Sequence, residues 1–186
     1  MRILFAGASG VLGRATLPHL HKHDVIALTR SPQKLQLLRE LGAAEAVLCD
    51  VYDHKALLDV ARRARPETVV NFVTDLAEEV AAANNRARRE GGASVLYAAT
   101  ASEAARLVVE SVAFALRGDA ARALEELEQS TRTFAGEALI LRFGRLWGPG
   151  TLHDTPPEVP AIHIEQAGAE AARLLTDAPP ETYIVA

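Results

Sequence analysis

The sequence predicts an α/β fold, a doubly wound parallel sheet with a small C-terminal cap, on three observations. Apolar runs of strand length alternate with stretches of helical periodicity along most of the 186 residues. The runs are apolar throughout instead of at every second residue, as in strands covered on both faces. Strands alternating with helices in this way form parallel sheets through right-handed crossovers.

Residues 2–6 (RILFA) read as a buried strand, and 11–22 as a helix with Val11, Leu12, Ala15, Leu17 and Leu20 on its inner side. DVIALT (24–29) is the second strand. Ser31 and Pro32 supply an N-cap and a first-turn proline to QKLQLLREL, and Gly42 ends that helix. AVLC (46–49) is the third strand, followed by a helix from Asp53 to Arg65 that Pro66 stops. TVVNFV (68–73) is the fourth. A long helix is expected over 76–104 with a bend at Gly91-Gly92, then a strand at 106–112, a helix at 119–133 and a strand at 138–143. Beyond Phe143 the texture changes. GRLWGPGTLHDTPPEVP is rich in glycine and proline and is expected as a loop, followed by a strand AIHI, a helix over 165–176 and a last strand TYIVA. Residues 1–186 are expected to form one domain, with 144–186 as its reduced cap.

Composition excludes several classes of function. Apolar residues make up 49% and charged residues 24%, as in ordinary globular chains, and a formal net charge of −4 disfavours a nucleic-acid partner. The arginine groups Arg62, Arg63, Arg65 and Arg86, Arg88, Arg89 fall in helices and read as solvated faces. Cys49 is the single cysteine, so no internal disulfide forms, and no metal site is expected because the six histidines are scattered. No apolar run reaches membrane-spanning length and the N-terminus lacks a signal-peptide layout, so a cytoplasmic location is expected.

The stretch LFAGASGVLGRA carries glycines at 7, 10 and 13 between a strand and a helix. Missing side chains there let the main chain approach a pyrophosphate while helical N–H groups point at its charge. A dinucleotide is therefore expected against Gly7, Ser9, Gly10, Val11, Leu12 and Gly13. The second strand ends in Thr29-Arg30-Ser31 where a carboxylate would select an unphosphorylated ribose. A guanidinium with a hydroxyl beside it suits a 2′-phosphate, which favours NADP over NAD.

With those residues in hand, the chain resembles the extended and atypical branch of the short-chain dehydrogenase/reductase superfamily, which includes the NAD-dependent epimerase/dehydratase proteins and has the Rossmann fold. The resemblance rests on Gly7 to Gly13, on CDVYD (49–53), on NRARREG (85–91), on LRFGRLWGPGT (141–151) and on AIHIEQAGAEAARLL (161–175). It implies that Asp50 and Val51 meet adenine, that Phe72 and Val73 lie along the cofactor, and that Ser111 faces the nicotinamide. It also implies a tyrosine paired with a lysine four residues on, as the proton relay. The tyrosines here are Tyr52, Tyr97 and Tyr183, and Lys55 is the last lysine, so no such pair exists.

The resemblance thus implies an NADP-dependent oxidoreductase or isomerase acting on a small carbonyl substrate through a non-standard site. Ser111 and His153 are its candidate catalytic residues, the latter because histidines titrate near neutrality. His163 reads as a packed strand residue, and Glu110, alternating with Ser111, is expected to point away from the site. The alternative is a regulatory module that binds the dinucleotide without turning it over. A bare partner-binding domain, with Arg142, Arg145 and Trp147 as its rim, would leave the glycine loop unexplained. The expected partner is a small-molecule substrate, with a second copy of the chain as the candidate protein partner and neither nucleic acid nor membrane.

Overall fold

The computed structural model describes residues 1–74 and 80–186. Seven parallel strands form the main sheet: β1 (Arg2–Ala6), β2 (Asp24–Thr29), β3 (Glu45–Leu48), β4 (Thr68–Asn71), β5 (Arg106–Val112), β6 (Glu137–Phe143) and β9 (Thr182–Val185). Their order is β3-β2-β1-β4-β5-β6-β9, so the chain runs outward from β1 in one direction and then returns to build outward in the other. β1 therefore pairs with both β2 and β4, Ile3 lying opposite Val25 and Thr68. That reversal opens a crevice at the carboxyl ends of the strands, the usual ligand position in such sheets. A separate two-stranded ribbon joins β7 (Arg145–Trp147) to β8 (Ala161–His163).

Helices cover both faces, as strands apolar on both sides require. Helix α1 (Val11–Thr16), continued by a 3₁₀ turn over Leu17–Leu20, packs on one face with α7 (Ile164–Asp177). Their core joins Ile3, Phe5, Leu17, Val70, Val108 and Leu141 to Ile164, Ala171 and Leu175. On the other face, α3 (His54–Ala64), α5 (Gly92–Ala101) and α6 (Gly118–Arg132) close over Leu4, Ile26, Val69, Leu107 and Val109. Short α2 (Leu35–Glu40) follows β2 after a 3₁₀ turn at Pro32–Lys34, and α4 (Val80–Arg86) runs through a π-helical turn, Ala87–Gly91, into α5. The expected bend at Gly91-Gly92 is thus a π-turn just ahead of Gly92; the expected start of that helix at 76 lies outside the described residues. Asp53 caps α3 by accepting the Ala56 N–H at 2.9 Å, and Arg65 closes it in the left-handed region before Pro66. Ser31 precedes its helix, but its hydroxyl bonds the Gln33 side chain instead of an amide of the first turn.

The tail differs from the expected cap. Helix α7 is a full member of the core and β9 extends the main sheet, so only 144–163 stands over the strand ends. Within it β7 forms where a loop is expected, because Arg145 to Trp147 pair with β8. Among the described residues no helix is long and apolar enough to cross a membrane, and no group of acidic, cysteine or histidine side chains is arranged to hold a metal ion.

Candidate functional site

The glycine loop between β1 and α1 is shaped by contacts that leave no room for side chains. Gly7 sits at φ +86°, and a Cβ there would lie 2.2 Å from the Phe72 carbonyl oxygen at the end of β4. A Cβ on Gly13 would meet the Gly7 oxygen at 2.3 Å, so this third glycine seats the helix on the loop. Gly10 donates its N–H to the Gly7 oxygen at 3.0 Å, closing the turn, and caps α1 without a side-chain bond. The first-turn amides of α1 accordingly have no acceptor within the helix and face outward at its N-terminus.

From this loop a cleft runs across the strand ends, lined by Gly7, Ser9, Gly10, Thr29, Arg30, Ser31, Lys34, Cys49, Asp50, Val51, Tyr52, Phe72, Val73 and Thr74. Nine of the predicted cofactor residues, Gly7, Ser9, Gly10, Arg30, Ser31, Asp50, Val51, Phe72 and Val73, come together here. The end at β2 is polar and cationic. Thr29 donates its hydroxyl to Ser9 Oγ at 3.1 Å and accepts the Ser31 N–H at 3.2 Å, while Lys34 Nζ donates to the Ser9 carbonyl at 3.3 Å. From sequence Lys34 reads as a solvated helix position, because a lysine at the start of a helix carries no mark distinguishing a cleft from solvent; here it lines the cleft. Asp50 accepts the Tyr52 N–H at 3.0 Å, which fixes the turn after β3. Burial, reinforced by Asp53 and Asp50, pushes the Cys49 thiol up to about 11, so it stands in the wall as an unreactive thiol.

A second cavity, of about 310 Å³, adjoins the cleft at Thr74, which lines both. Its walls are largely apolar: Val11 and Leu12 from α1, Val112 from β5, Phe143 from β6, then Phe114, Leu116, Leu146 and Leu152. Val11 and Leu12 line this cavity while opening α1 beside the glycine loop. Phe5, Phe72 and Phe143 stack edge to face at centroid distances of 5.3 and 6.1 Å, a rigid floor linking cleft to cavity. Polar groups in the cavity are Thr74, Asn84, Arg88, Glu110, Arg145, Thr151 and His153. His153, a predicted catalytic residue, is exposed at the mouth, its main-chain N–H bonded to Thr151 Oγ1 at 3.2 Å.

Two side-chain placements on β5 reverse the sequence reading. Ser111 points to the opposite face of the sheet, where it is buried and donates to Glu128 Oε1 at 2.7 Å. Glu110 is the residue that reaches the cavity. The two side chains do alternate, but in the reverse phase: a strand covered on both faces gives no polar side from which to read phase. Burial pushes the Glu110 carboxyl up from 4.5 to about 8, against the opposing pull of the Arg88 charge. Glu128 shows the contrary balance. Burial acts to raise it, but hydrogen bonds from Arg142, Ser111 and Arg132 outweigh that and hold it at about 2. Arg88 lines the cavity, so the arginine group at 86–89 is not wholly a solvated face; Arg89 pairs with Asp119 and Glu126, and Arg86 lies 4.1 Å over the Tyr52 ring. His163 packs edge-on to Trp147 at 4.5 Å, as a structural residue.

The family model for NAD(P)H-binding proteins matches residues 7–139. The chain belongs to the NAD(P)H-binding family. This NAD(P)H-binding chain is 36% identical over 181 residues to 3-diazoavenalumate denitrifying reductase from a Streptomyces species. That alignment takes in 81% of this chain and 58% of the relative, so the chain spans less than two thirds of the relative's length. Among solved structures it is similar to a protein assigned as an NAD-dependent epimerase/dehydratase from Bacillus halodurans, with TM-score 0.82 at 18% identity over 99% of this chain and 92% of that one. The UDP-glucose 4-epimerase of Thermus thermophilus, in complex with NAD, gives 0.79 at 15% identity over 100% of this chain and 77% of the other. These likenesses show the Rossmann fold expected from the sequence. The cleft beside the glycine loop fits the dinucleotide that the family binds: Gly7 and Gly10 line it without side chains, next to the N-terminus of α1.

Proposed function

We propose that the chain is an NADP-dependent reductase of a small, largely apolar carbonyl compound. The observation that carries this reading is the meeting at Thr74 of two unlike spaces: a cleft with bare main chain and cationic groups, and an apolar cavity beside it. In this reading Gly7, Gly10 and the first-turn amides of α1 hold the diphosphate, and Arg30, Ser31 and Lys34 hold a 2′-phosphate. A bound reduced nicotinamide would supply hydride. The cavity walls exclude water around the reacting carbon and position the carbonyl through apolar contact. A purely regulatory binder would have no need of the second cavity.

Titration of NADPH and NADH by fluorescence, followed by absorbance near 340 nm with a panel of aldehydes and ketones, tests the proposal. 3-Diazoavenalumate joins the panel, because the 36% identical relative is named 3-diazoavenalumate denitrifying reductase. Tighter binding of NADPH than of NADH, with oxidation by at least one apolar carbonyl, is the expected result. NADPH binding without oxidation by any member would instead support the regulatory alternative.

A further inference from the structure

Reduction of a carbonyl leaves an alkoxide that must gain a proton, and the tyrosine and lysine that would serve are absent from the sequence. The cavity therefore has to supply another donor. Arg88 and Arg145 are permanently charged, the Thr74 and Thr151 hydroxyls and the Asn84 amide are too weakly acidic, and His153 stands exposed at the mouth. Glu110 differs from all of these. It sits near the carboxyl end of β5, on the strand face it shares with Val108 and Val112, and lines the cavity with Phe143. Its Oε2 is sealed from solvent and, among the described residues, has no hydrogen-bond partner. A carboxylate left bare in that way is costly, whereas a neutral carboxyl is not.

We propose that Glu110 holds a proton in the resting site and donates it to the substrate oxygen, replacing the missing pair; this rests on the reductase reading above. As the carbonyl carbon gains hydride and is reduced, the C=O π pair moves onto oxygen. The Glu110 O–H bond breaks, a new O–H bond forms on the product alcohol, and the carboxylate left behind regains a proton from water at the cavity mouth. The charged or titratable groups lining the cavity with Glu110, among the described residues, are Arg88 of the π-turn, Arg145 of β7 and His153 of the loop after it; α1 and β6 bring only Val11, Leu12 and Phe143. Burial lifts the carboxyl to about 8 despite Arg88, so the proton is present at neutral pH.

The test compares Glu110→Gln and Arg88→Met with wild type. Glu110→Gln is expected to bind NADPH within about twofold of wild type and to lose at least roughly 100-fold in kcat on the best carbonyl of the panel. Wild-type kcat should fall above about pH 8, and Arg88→Met, which removes the charge that lowers the Glu110 pKa, should move that limb to higher pH. A readout independent of turnover is the Tm of the ligand-free protein followed from roughly pH 5 to 9. Glu110→Gln should match wild type at the acid end and exceed it increasingly toward the alkaline end. Wild-type turnover retained by Glu110→Gln, or a Tm difference that does not change with pH, overturns the role of Glu110 alone. Absence of turnover by wild type strikes the reductase reading and the transfer step with it, while the Tm profile still decides whether Glu110 holds its proton.

Discussion

Two adjacent residues of β5 place carboxyl chemistry on opposite faces of the sheet, and the contrast between them is a contrast of partners. Glu110 has a sealed oxygen without a partner, whereas Glu128, reached by Ser111, accepts from Arg142 at 2.8 and 2.6 Å and from Arg132 at 3.0 Å. Glu128 is therefore a folding group. Its folded pKa, about 2, lies below the ordinary 4.5, so its contribution is fully present above about pH 4.5 and is lost as pH falls toward 2. The shift corresponds to about 3 kcal/mol at neutral pH. Glu128→Gln is expected to lose about 2–3 kcal/mol in urea unfolding at pH 7, with the deficit narrowing as the pH is lowered through that window. In the adjoining cleft, Arg30→Ala should weaken NADPH by about 10-fold or more and NADH far less, since a charge-assisted hydrogen bond is worth about 1.5–3 kcal/mol. Equal losses for the two, in the same fluorescence titration, would remove Arg30 from any role in phosphate selection.

Among the elements, α7 shows how tightly the tail belongs to the sheet. Gly168 lets α7 approach α1 so closely that a Cβ there would lie 2.4 Å from the main-chain carbon and oxygen of Ala15. Gly168→Ala must push the helices apart, at a cost of about 1–3 kcal/mol and a fall in Tm of roughly 3–10 °C, while Ala169→Ser on the exposed side should change stability by less than about 0.5 kcal/mol. Thermal unfolding followed by circular dichroism measures both. The strands of the main sheet are legible in the sequence because each is built around a run of apolar residues between turn residues. β7 is not, since Arg145 to Trp147 sit among glycines and a proline and gain their order only from β8. Gly7 and Arg30 can be placed together from sequence because each follows the end of a strand, and parallel strands all end on one edge; Asp50 and Phe72 are placed beside them by the family resemblance. Lys34 and Arg88 cannot, because the face a helical cation presents depends on how the helix is rotated in the fold. Ser111 and Glu110 exchange places for the related reason that a strand buried on both sides hides which residues face which helices.

On the scale of the whole molecule, parallel strand direction gathers the cleft and the cavity at one edge of the sheet, and gives that edge an electrostatic character opposite to the chain as a whole. The protein carries a formal net charge of −4, yet the cavity holds Arg88 and Arg145 and, with Glu110 protonated, no carboxylate among its described lining residues. Arg145 lies 4.5 Å over the Phe114 ring and donates to the Glu158 carbonyl at 3.4 Å, which sets the guanidinium at the rim beside an apolar wall. A cationic rim on an apolar space favours a substrate with an apolar body and an anionic end. An apolar aldehyde bearing a carboxylate should therefore exceed its methyl ester in kcat/KM by about 10-fold at low ionic strength. Because the rim is open to solvent, that preference should shrink when salt is raised to roughly 0.5 M, where the screening length falls to a few ångströms. Arg145→Ala should abolish the preference while leaving the ester's kcat/KM within about threefold of its wild-type value. If acid and ester are reduced equally well by wild type at low salt, the arginines serve only the folding of the 144–163 segment and the π-turn, and substrate choice rests on the apolar walls alone.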